Sequence, residues 1–333
     1  MKLLIIRFSS FGDIVQGLGA PAAFKLAYPN AEVHWLVRSD FADLLLGQRS
    51  IDKVWSFDRK QGFGGLLGLC AKLRREGYTH VYDAHNNLRS FFVSLLVRAP
   101  HFARRSKNRW LRFLLFKLGI NRFPRPFIAQ RSYLEPLETW TRLAGLPPAP
   151  LLEVPHAVSE RIAQATLPLR PFVALAPSTA WAMKNWPLSH WRALSEMSPH
   201  TNFVVLGGPS DEECIELGRM ARPGPGQTLN LAGRLSWIES CAVLAQAEAL
   251  VSADTGLLHA ADQLGRPAVA LIGPTAFGYP ARVTTKVLEV PLACRPCSKD
   301  GRGKCRNDVY QRCMTEISPQ AVRDTLLKAL SAP

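Results

Sequence analysis

MKLLIIRFSSFGDIVQG, residues 1–17, sets the frame for the rest of the chain. Residues 3–6 are an apolar run of strand length. Ser9, Ser10, Gly12 and Asp13 break it, and a new apolar periodicity starts at Ile14, Val15 and Leu18. A strand, a tight turn of small residues and a helix start are what an α/β fold uses to put a binding loop at the carboxyl edge of a parallel sheet. In that turn Asp13 can take a proton from a bound hydroxyl. It can equally cap the helix expected from Ile14. The stretch alone leaves both readings open.

The same alternation continues outward. Residues 32–37 and 53–57 read as strands, 21–28 as a continuation of the first helix, and 66–75 as a helix. Residues 79–83 form a strand ending in the polar cluster Asp83, His85, Asn86 and Asn87. Prolines 147, 148, 150 and 155 mark a linker, which sets the domains at 1–155 and 156–333. Past it the pattern resumes: strands at 172–175, 202–206, 250–252 and 268–272, and helices at 158–165, 211–220, 256–264 and 319–329, with Ser189 a candidate helix cap. The fold class is α/β, with two facing Rossmann-like domains and a cleft between them. No GxGxxG follows the first strand, which argues against an ordinary dinucleotide-binding dehydrogenase.

With 333 residues, 47% of them hydrophobic, the chain is long and apolar enough for two cores. No stretch approaches the roughly eighteen uncharged apolar residues of a membrane span. Arg7 interrupts the first apolar run too early for a signal peptide. The expected location is therefore cytoplasmic.

The net charge of +15 is unevenly spread. Between Asp83 and Glu135 there is no acidic residue, while eleven bases accumulate, from Arg89 through Arg104, Arg105 and Lys107 to Arg131. Such a field attracts an anionic partner: nucleic acid, an anionic membrane surface or a phosphorylated substrate. Residues 110–119, WLRFLLFKLG, are amphipathic and basic, and suit either an anionic membrane surface or a seam between helices. A nucleic-acid groove would interleave aromatic and basic residues, so no nucleic-acid partner is expected.

In the second domain, Ser178 and Thr179 follow a strand, where hydroxyls and amides can receive phosphate oxygens, and Lys184 adds a point charge. Gly207 and Gly208 permit close approach of a ligand, and Glu212 or a neighbour can accept from ribose hydroxyls. Asp254, Thr255 and Gly256 stand directly before a helix whose first amides form a phosphate site. Asp254 also fits a simple N-cap.

Taken together, these segments resemble the lipopolysaccharide core heptosyltransferases, glycosyltransferase family 9, over nearly the whole chain. The resemblance lies in SSFGDIVQ at 9–16, STAWAMKNWP at 178–187, GGPSDEE at 207–213 and SADTGLLHAADQLGRPAVALIGPT at 252–275. It implies a GT-B fold and inverting transfer of heptose from ADP-heptose to a hydroxyl of the anionic inner core, Kdo or heptose. By it Asp13 matches the catalytic base, Thr179 and Lys184 the diphosphate ligands, and Asp254 the aspartate near the heptose and phosphates. Thr255 and Gly256 match the loop at the helix start. Glu212 matches the ribose-binding glutamate, with Asp211 and Glu213 leaving the register open. The resemblance implies no catalytic metal, and the chain holds no Asp-x-Asp pair. Peripheral contact with the cytoplasmic face of the inner membrane follows from such an acceptor. A heptosyltransferase acting on protein hydroxyls and a nucleotide-sugar epimerase are the alternatives.

Cys70, Cys214 and Cys241 read as buried apolar residues. Cys294, Cys297, Cys305 and Cys313 form C-x2-C-x7-C-x7-C, a basic insert at 294–313. Four such thiols suit a structural zinc or iron, free redox-active thiols or disulfides. Some members of the resembled family carry a similar insert, including autotransporter-modifying enzymes that resemble iron-binding proteins there.

Overall fold

In the computed structural model, which describes residues 1–331 apart from 144, 222 and 276, the chain forms two compact units. One comprises Met1–Arg109 and Gln130–Glu153, the other Trp110–Ala129 and Val154–Pro333.

The first unit runs β1 (Lys2–Ile6), α1 (Phe11–Gln16), α2 (Gly19–Ala27), β2 (Glu32–Arg38), β3 (Lys53–Phe57), α3 (Gly62–Arg75), β4 (His80–Asp83), α4 (Leu88–Val97) and β5 (His101–Arg104). After α5 (Arg109–Leu118) it is completed by α6 (Ala129–Leu134) and α7 (Glu138–Thr141). The strands pair in parallel in the order β3-β2-β1-β4-β5. Leu3, Leu4, Ile5 and Ile6 are wholly buried, as a central parallel strand covered on both faces requires. From β1 the chain steps outward to β2 and β3, then returns to β4 on the other side. A topological switch point therefore lies between β1 and β4, where such sheets bind ligands beyond their carboxyl ends.

The second unit continues with α8 (His156–Thr166), β6 (Phe172–Ala176), α9 (Leu188–Glu196), β7 (Asn202–Val205), α10 (Glu212–Arg219), β8 (Thr228–Asn230) and α11 (Trp237–Gln246). Then come β9 (Ala249–Ala253), α12 (Gly256–Leu264), β10 (Ala268–Leu271), β11 (Thr285–Leu288), α13 (Arg312–Thr315) and α14 (Pro319–Leu330). Its strands are parallel in the order β11-β10-β9-β6-β7-β8, so the second switch point lies between β6 and β9. The core buries Trp186 and Trp191 against Val173, Leu175, Val251 and Met314. Among the described residues no helix is long and apolar enough to cross a membrane.

Several local expectations change. Helix α1 begins at Phe11 with Ser10 at its N-cap, so Asp13 is its third residue and not its cap. It stops at Gly17, where a Cβ would meet the Trp35 ring at 3.1 Å, and α2 starts afresh. Ser189 lies inside α9, whose cap position is Pro187. The cap of α12 is Thr255, which accepts from the Leu258 amide, and this frees Asp254 from that task. Residues 110–129, placed in the first domain by a boundary at 155, pack with the second unit. The reason is aromatic: Phe116, Phe123 and Phe127 surround Phe277, and Arg112 lies 4.6 Å from its ring centroid.

His80 gives the first unit an acid-sensitive spot. It is buried against Phe24 and Trp140 and stacked on His101 at 4.5 Å. Burial, then the His101 charge, pushes its pKa down to about 4. Its folded-state value lies below its unfolded one, so the unfolded chain binds the extra proton as pH falls from about 6.5. Stability should fall by up to about 1.4 kcal/mol per pH unit from this group between about pH 6.5 and 4. Urea midpoints at pH 7.5 and 5 will show the drop, and His80→Gln should flatten it.

Candidate functional site

In the first unit the turn after β1 carries Asp13 to the switch point. Its Oδ2 lies 2.6 Å from Arg7 Nη2 and accepts from the Ser10 hydroxyl at 2.9 Å. Its Oδ1 accepts from the Tyr133 hydroxyl at 2.9 Å. Arg7 is itself buried and pinned by donating to the Ala84 carbonyl. Tyr133, fully buried on α6, has the Arg105 guanidinium 3.7 Å from its ring centroid. Burial works against the Asp13 charge, but Arg7, Arg105, Ser10 and Tyr133 together hold its carboxyl well below the usual carboxylate range. Its side chain nonetheless keeps 38% of its surface open.

The loop after β4 supplies the other wall of this switch point. Asp83, sealed in the sheet edge, accepts from the His85 and Asn86 amides at 3.1 and 2.8 Å and pairs with Arg104 at 2.9 Å. Asn86 donates to the Arg105 carbonyl at 2.8 Å, which orients the basic strand β5. His85 sits edge-on to Phe8, and burial together with Arg7 and Lys107 pushes its pKa down to about 3. It is therefore neutral at physiological pH. The result is one ionised carboxylate in a field of arginines, suited to accept a proton from the hydroxyl of an anionic molecule.

In the second unit Lys184 and Asp254 meet at the switch point between β6 and β9. Lys184 Nζ donates to the Asp254 carbonyl at 2.5 Å and stands 3.4 Å from its Oδ2. Thr275 donates to Oδ2 at 2.8 Å, and His259 Nε2 lies 3.7 Å from Oδ1. Burial opposes the charge, yet Lys184, His259 and Thr275 keep the Asp254 carboxyl far below its ordinary range. Gly278 lies on that carboxylate: a Cβ there would fall 2.2 Å from Asp254 Cγ, so only glycine allows the approach. Thr255 and Gly256 open α12, whose N-terminal dipole favours an anion beside the Lys184 ammonium.

The remaining candidates are tied to the scaffold. Ser178 donates to Glu213 Oε2 at 2.9 Å, and Glu213 also takes Asn185 at 2.6 Å. The Thr179 hydroxyl bonds Asn185 and the Trp181 carbonyl. At Gly207 and Gly208, expected to permit close approach of a ligand, the Gly208 amide is used by Asp211 Oδ2 at 2.6 Å and a Cβ on Gly207 would strike Cys214 Sγ. Glu212, by contrast, is exposed on the first turn of α10. A cavity of 730 Å³ opens beside Thr275, with Phe123, Phe127, Tyr279 and Arg295 among its walls.

Cys70, Cys214 and Cys241 are buried as expected. Cys294, Cys297 and Cys305 are half-buried and Cys313 is buried. The four share one neighbourhood: burial, then Cys294 and Cys305, raise the Cys297 pKa, and burial pushes that of Cys313 up to about 11 with Cys297, Cys305 and Cys294 adding to it. Their sulfurs do not converge: among the described residues, the one set of three ligating side chains with atoms mutually within 4.8 Å is Glu32, His34 and Glu76. Lys2 and Lys53 already neutralise that set at 2.5 and 2.6 Å from Glu76. As placed, the four thiols do not form the closed tetrahedral cage of a structural zinc. The insert does brace the Lys184 turn: Gly301 packs on the Lys184 stem, and Arg302 lies 4.1 Å from the Trp181 ring centroid.

Sequence reading missed Arg7, Tyr133, Arg105, Thr275 and Gly278 as individual contributors. Thr275 stood at the end of a quoted motif and Arg7 within the opening stretch. Nothing near Tyr133 or Gly278 in sequence signals a contact with Asp13 or Asp254.

The model of glycosyltransferase family 9 (heptosyltransferase) matches residues 67–311. Lipooligosaccharide heptosyltransferase 2 of Haemophilus influenzae is 26% identical, over 99% of this chain and all of that protein. Lipopolysaccharide heptosyltransferase 1 of Pseudomonas aeruginosa is 25% identical, over all of this chain and 99% of its own length. The solved structure of the ADP-heptose lipopolysaccharide heptosyltransferase II of Escherichia coli, 22% identical, superposes with a TM-score of 0.76 over 99% of this chain and 98% of that one, which places the fold in the GT-B class. The chain is a member of glycosyltransferase family 9, the heptosyltransferases.

Proposed function

We propose that the protein is an inverting glycosyltransferase that moves heptose from ADP-heptose to a hydroxyl of the anionic lipopolysaccharide inner core. The observation that carries this reading, beside the family match, is the placement of an ionised Asp13 at one switch point and a Lys184–Asp254 pair at the other.

In the first unit Asp13 takes the proton of the acceptor hydroxyl. Its low basicity means that transfer occurs late, once the oxygen has begun to bond the anomeric carbon and has become acidic. Arg105, Lys107 and their neighbours attract the anionic acceptor. An epimerase has no acceptor to hold and no use for such a field. In the second unit Lys184 and the first amides of α12 receive the diphosphate and stabilise the charge that develops as ADP leaves from the opposite face. Glu212, open to solvent, is the candidate for the ribose, while Ser178 and Thr179 shape the loop that carries Lys184 and Gly208 holds the start of α10 through Asp211.

The reaction needs no metal in this scheme. The four cysteines are carried as a candidate structural zinc or iron site whose sulfurs must first draw together, and about one equivalent of metal lost on Cys297→Ser would establish it. With a lipid-borne acceptor, the protein works as a peripheral enzyme on the cytoplasmic face of the inner membrane.

The test is transfer by the purified protein with ADP-heptose and truncated lipopolysaccharides ending in Kdo or in one heptose. The expected result is ADP release with an acceptor mass gain of one heptose. Tight ADP-heptose binding without transfer to either acceptor would overturn the acceptor, pointing to protein hydroxyls. Failure to bind ADP-heptose would overturn the donor.

A further inference from the structure

Helices α3 and α4 cover one face of the first unit's sheet and bury Leu66, Cys70, Leu73, Val93 and Val97 there. A helix lying on a sheet needs only one apolar stripe. These two are apolar on the outside as well. Phe63 and Leu67 of α3, Leu88, Phe91 and Leu95 of α4, and Phe102 of β5 are each between 42% and 72% exposed. They form one patch. The Phe92 ring lies 6.0 Å from Phe63 and 6.0 Å from Phe91, and the Arg104 guanidinium bridges Phe91 and Phe102 at 5.4 and 5.0 Å. Gly64 and Gly68 lie on the exposed surface of α3 with open space where a Cβ would stand, so no contact within the chain calls for them.

The segments that carry this patch are rich in bases, with Asp58 and Glu76 at the two ends of the first. Residues 59–75 contain Arg59, Lys60, Lys72, Arg74 and Arg75 and no acid, and the acid-free stretch after Asp83 adds Arg89, Arg98 and Arg104. Exposed aromatic and leucine side chains ringed by cations match the two signals that hold a protein on an anionic bilayer, apolar insertion and headgroup attraction. A second copy of the chain fits less well: a two-fold contact through this face would set the same basic residues, Arg98 and the α3 bases among them, against each other.

We propose that the outer face of α3, α4 and β5 docks on an anionic lipid bilayer, with Phe63, Phe91, Leu95 and Phe102 entering the interface and Arg98 meeting lipid phosphates. Helix α4 is capped by Asn87, directly after the Asp83–Asn86 loop, so the docked face runs up to the acceptor-side switch point. The docking stands whichever sugar the enzyme moves.

Flotation of the full chain with vesicles tests it, in the absence of donor and acceptor. One set of vesicles is phosphatidylethanolamine with phosphatidylglycerol, the other phosphatidylcholine alone. The wild type should float with the anionic set and be released by salt. Phe63→Glu with Phe91→Glu should weaken binding by at least about tenfold, with melting temperature and ADP binding unchanged. Three results would overturn the proposal: no flotation of the wild type, full flotation of the double variant, or loss of flotation on Trp110→Ser in α5 alone. A double variant that changes self-association but not flotation would reassign the face to a second copy.

Discussion

Asp13→Asn should lower kcat by about 10²–10⁴-fold, the usual worth of a positioned general base, and leave ADP binding unchanged. Asparagine keeps an oxygen for the Tyr133 hydroxyl and fits the same turn, but an amide cannot take the acceptor proton. The substitution also strips buried Arg7 of its counter-charge, and removing one partner of a buried ion pair is destabilising. A lower melting temperature is therefore expected too, and the assay belongs well below it. The ADP titration separates the effects, because the groups assigned to the diphosphate all lie in the second unit. The pH profile is the second check. Arg7 and Arg105 hold the Asp13 carboxyl far down, and His85 stays neutral to about pH 3, so neither group titrates between pH 8 and 5. For folded wild-type enzyme, kcat/KM should have no acid limb in that range. A limb near pH 6.5 would point to a different base, and a kcat for Asp13→Asn within about tenfold of wild type would remove Asp13 from the role.

The parts of this fold that could be read from the chain are those written locally. An apolar run broken by small residues and followed by helical periodicity occurs at 3–18 and again at 250–264, and both became strand, loop and helix as expected. Asp13 and Asp254 were legible as carboxylates beside a helix start, with a cap reading open beside the functional one. In both cases a neighbouring hydroxyl residue, Ser10 or Thr255, takes the cap position and releases the aspartate for other partners. Strands β5, β8 and β11 escaped because they are short edge strands whose half-exposed residues give neither a continuous apolar run nor a clear alternation. The partners of the two aspartates escaped for another reason. Tyr133 reaches Asp13 across 120 residues, through the return of α6, and Thr275 and Gly278 reach Asp254 from the loop after β10. Contacts of that range are products of topology, and no local spacing encodes them. Segment 110–129 could be read as amphipathic but not as belonging to the second unit, because the ring that claims it, Phe277, lies about 150 residues further on.

Lys184→Ala should cut kcat/KM for the nucleotide sugar by about 10²–10³-fold, as the loss of one well-placed charge donor at a leaving group does. The wild-type ammonium touches the Asp254 carbonyl and sits beside its carboxylate, both side chains being largely buried. Without it, Asp254 keeps Thr275 and His259 as its side-chain partners among the described residues, and an under-compensated negative charge faces the incoming diphosphate. The loss should therefore appear in both terms: KM rises because the ground state is repelled, and kcat falls because charge building on departing ADP meets no cation. Lys184→Arg should recover part of the binding but less of the turnover, since a planar guanidinium cannot reproduce a point charge wedged against Asp254 and the stem contact of Gly301. A purely architectural lysine would behave differently: Lys184→Ala would lower the melting temperature and spare the kinetics of the protein that remains folded. Retention of kcat/KM within about tenfold, with ADP bound as tightly as before, would leave Lys184 as a brace for Asp254 and shift the diphosphate to the amides of α12 alone.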